Sequence, residues 1–503
     1  MLSKILTTTV MGMDASLITV ETNISRGLPC YNVVGLGDTV IREAGSRIRA
    51  AIANSGMEYP MTRIDVNLAP ASSRKEGSHF DLPMALGILA SSGQIKNEEK
   101  TAFFGELSMD GRINPVRGIL PMVIAAEKEG IDSVVVPRGN AGEASLVRNL
   151  HIYCAESLSQ VVEHIKGEKT LNIYTGIDNI ENEESKEESD YKDVVGQENA
   201  KRAMMIAASG GHGVLMMGPP GAGKTMLAER LPGILPPLSY EEKLQVTNIY
   251  SVAGLLNENR QFITERPFRR IHNDITRAAL LGGGKKPKPG ELSLAHRGVL
   301  FVDEFPMLGS HIIESLWIPL EKNKVTISRQ DSSVDFPAEV MLVAAANPCP
   351  CGHRGDGKKE CTCTYGQLAA YDRKISDMIR DRIDMHVNVE AVDPGNISES
   401  FGKMTSKEMK EKVEYTRRIQ YERYGRELLN SRLTKQQTEE YIPLGKDERL
   451  FMEQAYESMG LTMRTYNKTL LVSRTIADME GKQDIEVQHL AESLQYRGRG
   501  HGI

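Results

Sequence analysis

The chain has 503 residues, of which 40% are hydrophobic and 25% charged, the composition of an ordinary globular protein. This length predicts roughly two to four domains rather than one core. No apolar run is long enough to span a membrane, and the N-terminus lacks an apolar signal segment, so we expect a cytoplasmic protein.

The formal net charge of −6 is concentrated in one segment. Residues 178–193 contain eight acidic residues against Lys186 and Lys192, out of 67 acidic and 61 basic residues in the chain. The rest of the chain therefore has 59 of each sign. Its balanced charge neither disfavours nor indicates binding to nucleic acid.

Strand-like and helical runs alternate from the N-terminus to about residue 168. Residues 16–22 and 63–68 predict strands, whereas residues 41–54 and 82–92 predict helices. The alternation predicts an α/β or α+β domain over residues 1–168. Taken alone, this region does not indicate a function.

The following segment, residues 169–192, is polar and rich in charge, which predicts a flexible linker. A weaker boundary is expected near residues 392–395. It would separate a domain over residues 193–391 from a C-terminal domain over 392–503. Helical spacing at 406–424 and 464–481 predicts that this last domain is helical.

A complete phosphate-binding loop, G-x-x-x-x-G-K-[ST], follows an apolar strand at 213–217 and precedes a helical run from Met226 to Leu231. Its backbone N–H groups and the helix N-terminus would surround phosphate oxygens. Lys224 would reach the β- and γ-phosphates of a nucleoside triphosphate, and the Thr225 hydroxyl would bind Mg²⁺. The predicted nucleotide-binding residues are Gly218, Pro219, Pro220, Gly221, Ala222, Gly223, Lys224 and Thr225.

Two further apolar strands end in polar side chains. The strand at 298–302 leads into Asp303 and Glu304, and we expect it to lie beside the strand of the phosphate loop. Asp303 would then bind Mg²⁺ together with Thr225, and Glu304 would act as general base on the attacking water. A third strand, at 339–346, ends at Asn347, whose amide would position that water.

These motifs, with residues 345–352 (Ala-Ala-Asn-Pro-Cys-Pro-Cys-Gly) and 381–384 (Asp-Arg-Ile-Asp), resemble the AAA+ magnesium-chelatase-like family. With its N-terminal extension, the chain is most similar to the ComM (YifB) branch of that family. The resemblance implies an AAA+ phosphate-loop core with a helical lid. It also implies ATP and Mg²⁺ as cofactors.

The resemblance further implies the roles of three residues outside the loop. Arg382 matches the arginine finger that enters a neighbouring subunit's site, and Arg464 matches the sensor arginine of the lid. Gln197 lies in the segment that packs near adenine. Family members of this kind form hexameric rings that move on DNA and promote branch migration during uptake of transforming DNA.

Three basic segments are candidates for contact with branched or single-stranded DNA: residues 266–270, 282–288 and 324–329. A small basic loop repeated in every subunit would line a ring channel with positive charge. The family usually has Pro-His-His where this chain has Ile271, His272 and Asn273, which leaves the role of His272 open. A solvated basic loop is an equally good explanation for any single lysine.

Four of the six cysteines lie within fifteen residues: Cys349, Cys351, Cys361 and Cys363. Four thiolates can hold a structural Zn²⁺ and leave no open position for catalysis. The C-x-C spacing is less typical than C-x-x-C, so reduced, packed thiols are the alternative. Cys30 and Cys154 are expected to be ordinary packed residues.

Residues 74–86 and 104–126 resemble the two segments of Lon-type proteases that carry the catalytic serine and lysine. His79 stands at the serine position and Leu120 at the lysine position, and Ser78 is displaced by one residue. A Ser–Lys dyad needs an amine to accept the hydroxyl proton. The resemblance thus implies an α+β, Lon-protease-like (ribosomal S5 type) domain without peptidase activity.

Three functions are compatible with these motifs. The preferred one is an ATP-driven hexameric DNA translocase or branch-migration helicase. The second is the ATPase subunit of a metal chelatase, and the third is a protein-remodelling or proteolytic machine. The N-terminal domain and the cysteines argue against the second, and the missing dyad argues against the third.

Overall fold

The computed structural model describes residues 2–72, 74–175, 189–257, 260–284, 287–328, 333–355, 359–374, 377–391 and 404–497. Most of the predicted linker, the boundary at 392–395, Lys285, Lys286 and Arg329 lie outside the described residues. No described helix is both long and apolar enough to cross a lipid bilayer.

The N-terminal region folds around a seven-stranded mixed sheet in the order β3-β4-β2-β1-β5-β8-β9. The strands of the whole N-terminal region are β1 (Leu2–Met11), β2 (Asp14–Ser25), β3 (Cys30–Val34), β4 (Arg63–Ala69), β5 (Thr101–Phe103), β6 (Glu106–Leu107), β7 (Ile113–Asn114), β8 (Ser133–Pro137) and β9 (His151–Ala155). Its helices are α1 (Thr39–Asn54), α2 (Asp81–Ser91), α3 (Ile119–Lys128), α4 (Ala141–Ala144) and α5 (Leu158–Lys166). Four of these elements confirm the predicted strands and helices.

The local sequence explains these elements. In β4 every second residue is buried, namely Ile64, Val66 and Leu68, as expected for a strand with one face on a core. The Asp38 side chain caps α1 by accepting a hydrogen bond from the N–H of Ile41.

The central region contains a five-stranded parallel sheet in the order β11-β14-β17-β10-β18. The strands of this region are β10 (Val214–Met217), β11 (Phe268–Ile271), β12 (Gly282–Gly283), β13 (Lys288–Pro289), β14 (Val299–Val302), β15 (Lys324–Ser328), β16 (Ser333–Pro337), β17 (Met341–Ala346) and β18 (Met385–Asn388). Its helices are α6 (Glu198–Gly210), α7 (Lys224–Glu229), α8 (Leu231–Ile234), α9 (Tyr240–Ala253), α10 (Arg277–Leu281), α11 (Glu291–Leu294), α12 (Ser310–Lys322), α13 (Tyr365–Lys374) and α14 (Asp377–Arg380).

The strand order corrects one prediction. The strand that ends at Asp303 was expected beside the strand of the phosphate loop, but β17 lies between β14 and β10. Because all three strands are parallel, their carboxyl ends still meet at the same edge of the sheet. Asn347, at the end of the middle strand, is therefore the side chain placed directly beside the loop.

The C-terminal region is helical, as predicted, and consists of α15 (Ser406–Tyr424), α16 (Lys435–Tyr441), α17 (Lys446–Met459), α18 (Met463–Met479) and α19 (Val487–Gln495). Capping boxes start α15, α16 and α18 at Thr405, Thr434 and Thr462. Apolar residues of α15 and α18 share a buried cluster with α6, which joins this region to the parallel sheet.

The ends of the predicted linker are packed against the flanking regions. The N–H of Tyr174 donates to the carbonyl of Ile152, which extends the N-terminal sheet. Tyr191 is fully buried, and its hydroxyl donates to the carbonyl of Leu227 at 2.7 Å. Ordered structure of the central region thus begins before residue 193.

Candidate nucleotide-hydrolysis site

The phosphate loop connects β10 to α7 in the predicted order. A Cβ on Gly218 would lie 2.1 Å from the carbonyl oxygen of Val389, and Gly223 has φ +90°, so both positions require glycine. The helix after the loop ends at Glu229, two residues earlier than the helical run suggested. A second short helix, α8, follows at once, with Pro232 in its first turn.

Lys224 lies inside the loop and contacts the end of β17. Its Nζ donates to the carbonyls of Gly218 at 2.6 Å and Pro219 at 2.8 Å, and to Oδ1 of Asn347 at 3.1 Å. Burial lowers the pKa of Lys224, and the nearby Asp303 carboxylate opposes that shift. The structure thus brings together two predicted residues that are 123 positions apart. Thr225 is half-buried in the first turn of α7.

Asp303 and Glu304 each accept a hydrogen bond from a residue in β11 or just after it. Nη2 of Arg270 donates to Oδ2 of Asp303 at 2.5 Å, and Nδ2 of Asn273 donates to Oε2 of Glu304 at 3.1 Å. Glu304 has φ +46°, a left-handed backbone conformation that is strained for this residue type. We call Lys224, Asp303, Glu304 and Asn347 together the hydrolysis edge.

Arg270 and Asn273 are site residues that the sequence analysis did not identify. Nη1 of Arg270 also lies 3.7 Å from Oε1 of Glu229 on α7, so its guanidinium bridges two acidic side chains. A cation is therefore already paired with the carboxylate predicted to bind Mg²⁺. One indication of these contacts was present in the sequence: Ile271, His272 and Asn273 replace the Pro-His-His that is usual in the family.

The same contacts bear on the prediction that residues 266–270 contact DNA. This segment contributes a strand to the parallel sheet, and its three arginines pair with carboxylates of the same chain. Besides Arg270, Arg266 pairs with Glu242 at 2.7 Å and Arg269 with Glu291 at 2.6 Å. These ion pairs join the sheet edge to neighbouring parts of the chain, and contact of the segment with DNA stays a prediction.

Gln197 connects the loop to the far end of the sheet. Its Nε2 donates to the carbonyls of Ala222 at 3.3 Å and Glu390 at 2.6 Å, and its own backbone has φ +61°. Ala222 belongs to the phosphate loop, and Glu390 follows β18. Gln197 is therefore beside the loop, where the resemblance expects the adenine-proximal segment.

Arg382 and Arg464 both contact Glu321 of α12. Nη2 of Arg464 is 2.9 Å and Nη1 of Arg382 is 3.6 Å from the same atom, Oε1 of Glu321. The Arg382 guanidinium also lies 5.4 Å from the ring centre of Trp317, and its buried Nε has no hydrogen-bond partner among the described residues. We call Glu321, Arg382 and Arg464 the arginine cluster. Within one chain, the structure brings Arg464 to Arg382.

The four clustered cysteines converge on one point. Their sulfur atoms lie within 4.8 Å of one another, with separations of 3.3 Å for Cys349–Cys351, 3.6 Å for Cys351–Cys361 and 3.7 Å for Cys349–Cys361. A tetrahedral Zn²⁺ with bonds of about 2.3 Å needs sulfurs about 3.8 Å apart. The N–H of Cys351 points at the sulfur of Cys363 at 3.3 Å, a contact that favours thiolate. The donor set fits zinc.

The cysteine cluster adjoins the hydrolysis edge. Cys349 comes two residues after Asn347, whose carbonyl accepts a hydrogen bond of 2.9 Å from the Tyr371 hydroxyl. A Cβ on Gly352 would lie 2.5 Å from Cδ of Pro220 in the phosphate loop. The cysteine loop thus packs directly on the loop that would hold the triphosphate.

The two positions compared with the Lon dyad are both buried. Burial lowers the pKa of His79 to about 4, and its Nε2 contacts the carbonyl of Thr8 at 2.9 Å. Leu120 is completely buried in the core beneath α3. Cys30, predicted to be packed, is instead exposed on β3, and Cys154 is half-buried.

Comparison with protein families gives three matches along the chain. Residues 20–140 match the model described as subunit ChlI of Mg-chelatase, and residues 190–397 match magnesium chelatase, subunit ChlI. Residues 403–497 match the ChlI C-terminal region. All three parts of the chain are thus covered by models of one family.

Comparison with curated proteins agrees. The chain is 40% identical over 494 residues to "Competence protein ComM" of Haemophilus influenzae, covering 97% of this chain and 96% of that protein. It is 36% identical over 501 residues to "Uncharacterized protein YifB" of Escherichia coli, covering 99% and 97%. The "Magnesium-chelatase 38 kDa subunit" of Cereibacter sphaeroides is 28% identical over 174 residues, covering 31% of this chain and 52% of that protein.

Proposed function

The chain belongs to the magnesium-chelatase-like family, and we propose that it is an AAA+ ATPase. In this proposal it works as a hexameric ring motor on DNA, namely a branch-migration helicase that promotes recombination of transforming DNA. The observation that supports ATP hydrolysis is the hydrogen bond between Lys224 and Asn347. It lies at the edge of the sheet where β14, the strand that leads into Asp303 and Glu304, also ends. The DNA part is supported by similarity to a competence protein.

In this proposal the hydrolysis edge binds ATP and cleaves its γ-phosphate. Lys224 would exchange its contacts with the loop carbonyls for the β- and γ-phosphates, and Thr225 and Asp303 would hold Mg²⁺. When bound, Mg²⁺ would offset the charge of the phosphates. Glu304 would accept a proton from the attacking water, which Asn347 would orient.

The arginine cluster would serve a neighbouring subunit. Arg382 would reach that subunit's γ-phosphate as the arginine finger, and Arg464 would contact the phosphates as the lid sensor. Two guanidinium groups share the single carboxylate of Glu321, so the cluster has an excess of positive charge. Such an excess suits an anion supplied from outside the chain.

Two of the three predicted DNA-contacting segments present exposed lysines among the described residues. Lys288 is exposed at the start of β13, and Lys324 lies at the base of the β15–β16 hairpin, paired with Asp335 at 2.6 Å. Repeated in each subunit of a ring, these short basic elements would contact the backbone of branched or single-stranded DNA.

We further propose that residues 1–168 are a Lon-protease-like domain without peptidase activity, joined through a linker to the ATPase core and the helical lid. The burial of His79 and Leu120 supports the loss of activity, because neither side chain is accessible to a substrate. The domain would serve ring assembly or DNA contact. We also propose a cytoplasmic location.

We propose a structural Zn²⁺ held by Cys349, Cys351, Cys361 and Cys363. All four ligands would be thiolates, which leaves no position for substrate. The ion would fix the short loop after Asn347 against Pro220, and thereby hold the water-positioning amide near the phosphate loop.

A second candidate function is that of an ATPase subunit in a metal-chelatase-like or protein-remodelling complex. It is favoured by the similarity to the 38 kDa subunit of magnesium chelatase over part of the chain. The two functions differ in what stimulates ATP hydrolysis.

The test is a comparison of ATP turnover with no DNA, duplex, single-stranded DNA and a four-way junction, at equal nucleotide concentration and fixed salt. We expect the junction or single strand to raise turnover at least several-fold, and Glu304→Gln to abolish both turnover and strand displacement. Turnover that ignores all DNA forms would favour the second function. Strand displacement that survives Glu304→Gln would exclude the motor mechanism.

A further inference from the structure

The segment that carries Arg382 is held by the C-terminal helical region at every residue. Residues 381–384 form the turn between α14 and β18, and side chains from α18, its N-cap and the residues after α19 each donate to this turn. The contacts are Thr462 Oγ1 to Asp381 Oδ2 at 3.1 Å, Lys468 Nζ to the Arg382 carbonyl at 2.6 Å, Arg497 Nη1 to the Ile383 carbonyl at 3.2 Å, and Lys468 Nζ to Asp384 Oδ1.

Lys468 makes two of these contacts and is the centre of the arrangement. Its side chain is 18% exposed and that of Asp384 is 17% exposed. The other carboxylate oxygen of Asp384 accepts a hydrogen bond of 2.8 Å from the N–H of Gly213, the residue before β10. Lys468 therefore ties the turn to the strand that enters the phosphate loop.

Each member of this pair favours the charged form of the other. Although burial alone would raise it, the Lys468 ammonium and the nearby His212 hold the pKa of Asp384 well below its ordinary value. Burial lowers the pKa of Lys468, and the Asp384 carboxylate opposes that shift. A charged donor and a charged acceptor fix the turn more strongly than neutral hydrogen bonds would.

The position of Lys468 on α18 gives it a second connection. It follows Arg464 by four residues, so the two side chains lie on the same face of the helix. Arg464 contacts Glu321, and Lys468 contacts the backbone of Arg382. One helix of the lid thus holds both arginines of the arginine cluster in register with each other.

We propose that Lys468 is a positioning residue that sets the reach of Arg382, so that the lid of one subunit controls hydrolysis in the site of its neighbour. This inference rests on the proposed role of Arg382 as a finger that acts in trans. The physical reason is the bond to the Arg382 carbonyl, which fixes the backbone from which the guanidinium projects. A displacement of about 1 Å at a catalytic group lowers a rate by about a hundredfold.

The test measures steady-state ATP hydrolysis and ATP binding by the full-length chain. Lys468→Met should lower kcat about a hundredfold, while KM and the affinity for a fluorescent ATP analogue change less than threefold. Lys482→Met is the matched control, because Lys482 lies in the same helical region but is exposed and pairs with Glu486. It should leave kcat unchanged.

Mixing of variant subunits separates positioning from general damage. Glu304→Gln subunits have an intact finger and a dead site, so an equal mixture with Lys468→Met should hydrolyse ATP faster than the two variants measured separately. A mixture of Lys468→Met with Arg382→Ala should not, because neither subunit supplies a functional finger. Gain of activity in this second mixture would overturn the proposal.

A buried Asp384 left without its partner can destabilise the chain, so Lys468→Met with Asp384→Asn is the second variant. It removes both charges and should restore the thermal midpoint without restoring kcat. If kcat returns with the midpoint, Lys468 is only structural and the proposal is wrong. If Arg382→Ala hydrolyses ATP normally, the proposed finger role of Arg382 is wrong. If Arg382→Ala is inactive but Lys468→Met turns over normally, only the proposal for Lys468 is wrong.

Discussion

The hydrolysis edge and the arginine cluster are built in opposite ways. At the hydrolysis edge, four side chains come from the ends of β14 and β17 and from the loop between β10 and α7, and each has a partner within the chain. In the arginine cluster, a turn, a helix of the core and a helix of the lid contribute one residue each, and two guanidinium groups share one carboxylate.

The difference indicates which part of the site is complete in one subunit. In the proposed function, the hydrolysis edge would bind a triphosphate and activate water, whereas the two guanidinium groups of the arginine cluster share one carboxylate. If the cluster receives the phosphates of a neighbouring subunit, the two regions form one active site only after assembly. The following experiments test that conclusion.

The largest effect is expected for Arg382→Ala. Loss of an arginine finger lowers phosphoryl-transfer rates by about 10³ or more, so hydrolysis should fall below detection while ATP binding persists. Turnover per chain of the unmodified protein should also fall on dilution, in step with dissociation measured by sedimentation. Hydrolysis that is independent of protein concentration and insensitive to Arg382→Ala would place the complete site in one subunit.

The next largest effect is expected for Cys349→Ser. Removal of one thiolate should release the single Zn²⁺ per chain, measured by metal analysis after removal of adventitious ions, and loosen the loop behind Asn347. We expect kcat to fall roughly 30-fold because the Asn347 amide, proposed to orient the attacking water, is displaced. Cys30→Ser is the control, since Cys30 is exposed on β3 and outside the cluster. Unchanged zinc content in Cys349→Ser would show that the thiols do not bind metal.

Arg464→Ala should have a smaller effect than Arg382→Ala. A hydrogen bond to a charged group contributes about 1.5 kcal/mol at the lower end of its range, so we expect about a tenfold loss in kcat/KM for ATP. When Arg464 is removed, the Glu321 carboxylate interacts with Arg382 alone and would draw its guanidinium away from a phosphate. Glu321→Gln removes this attraction and should therefore tend to raise kcat/KM for ATP. Equal losses in the two variants would mean that the carboxylate itself is needed.

The smallest effect is expected for Arg270→Ala at the hydrolysis edge. Arg270 must leave Asp303 before Mg²⁺ can bind there, but its side chain is 38% exposed, so the pair contributes only about 1 kcal/mol. The Mg²⁺ concentration for half-maximal hydrolysis should fall about threefold to fivefold. Arg277→Ala removes an equal charge from an exposed helix start and should change nothing. An increased Mg²⁺ requirement in Arg270→Ala would contradict this interpretation.

Much of the hydrolysis edge could be predicted from the sequence, because each motif is local. A strand, a glycine-rich loop and a helix are consecutive in the chain, and the predicted strands at 213–217, 298–302 and 339–346 were all found. The order of those strands was not predictable in the same way. It depends on crossover connections between distant segments, and β17 came to lie where β14 was expected.

The arginines of residues 266–270 show a different limit. A run of Arg266, Arg269 and Arg270 has the composition of a DNA-binding segment, and composition does not reveal which carboxylates face it. Their partners Glu242 and Glu291 are more than twenty residues away along the chain. The contacts of residues 381–384 with the lid were hidden for the same reason, since Lys468 is 84 positions from Asp384.

Trp317, on which the Arg382 guanidinium rests, is the only tryptophan in the chain. Its indole therefore supplies all of the intrinsic tryptophan emission. A guanidinium that moves from the ring towards a phosphate changes the field at the indole and hence its emission wavelength and yield. The protein thus carries an unlabelled optical probe at the position where one subunit would detect the nucleotide of the next.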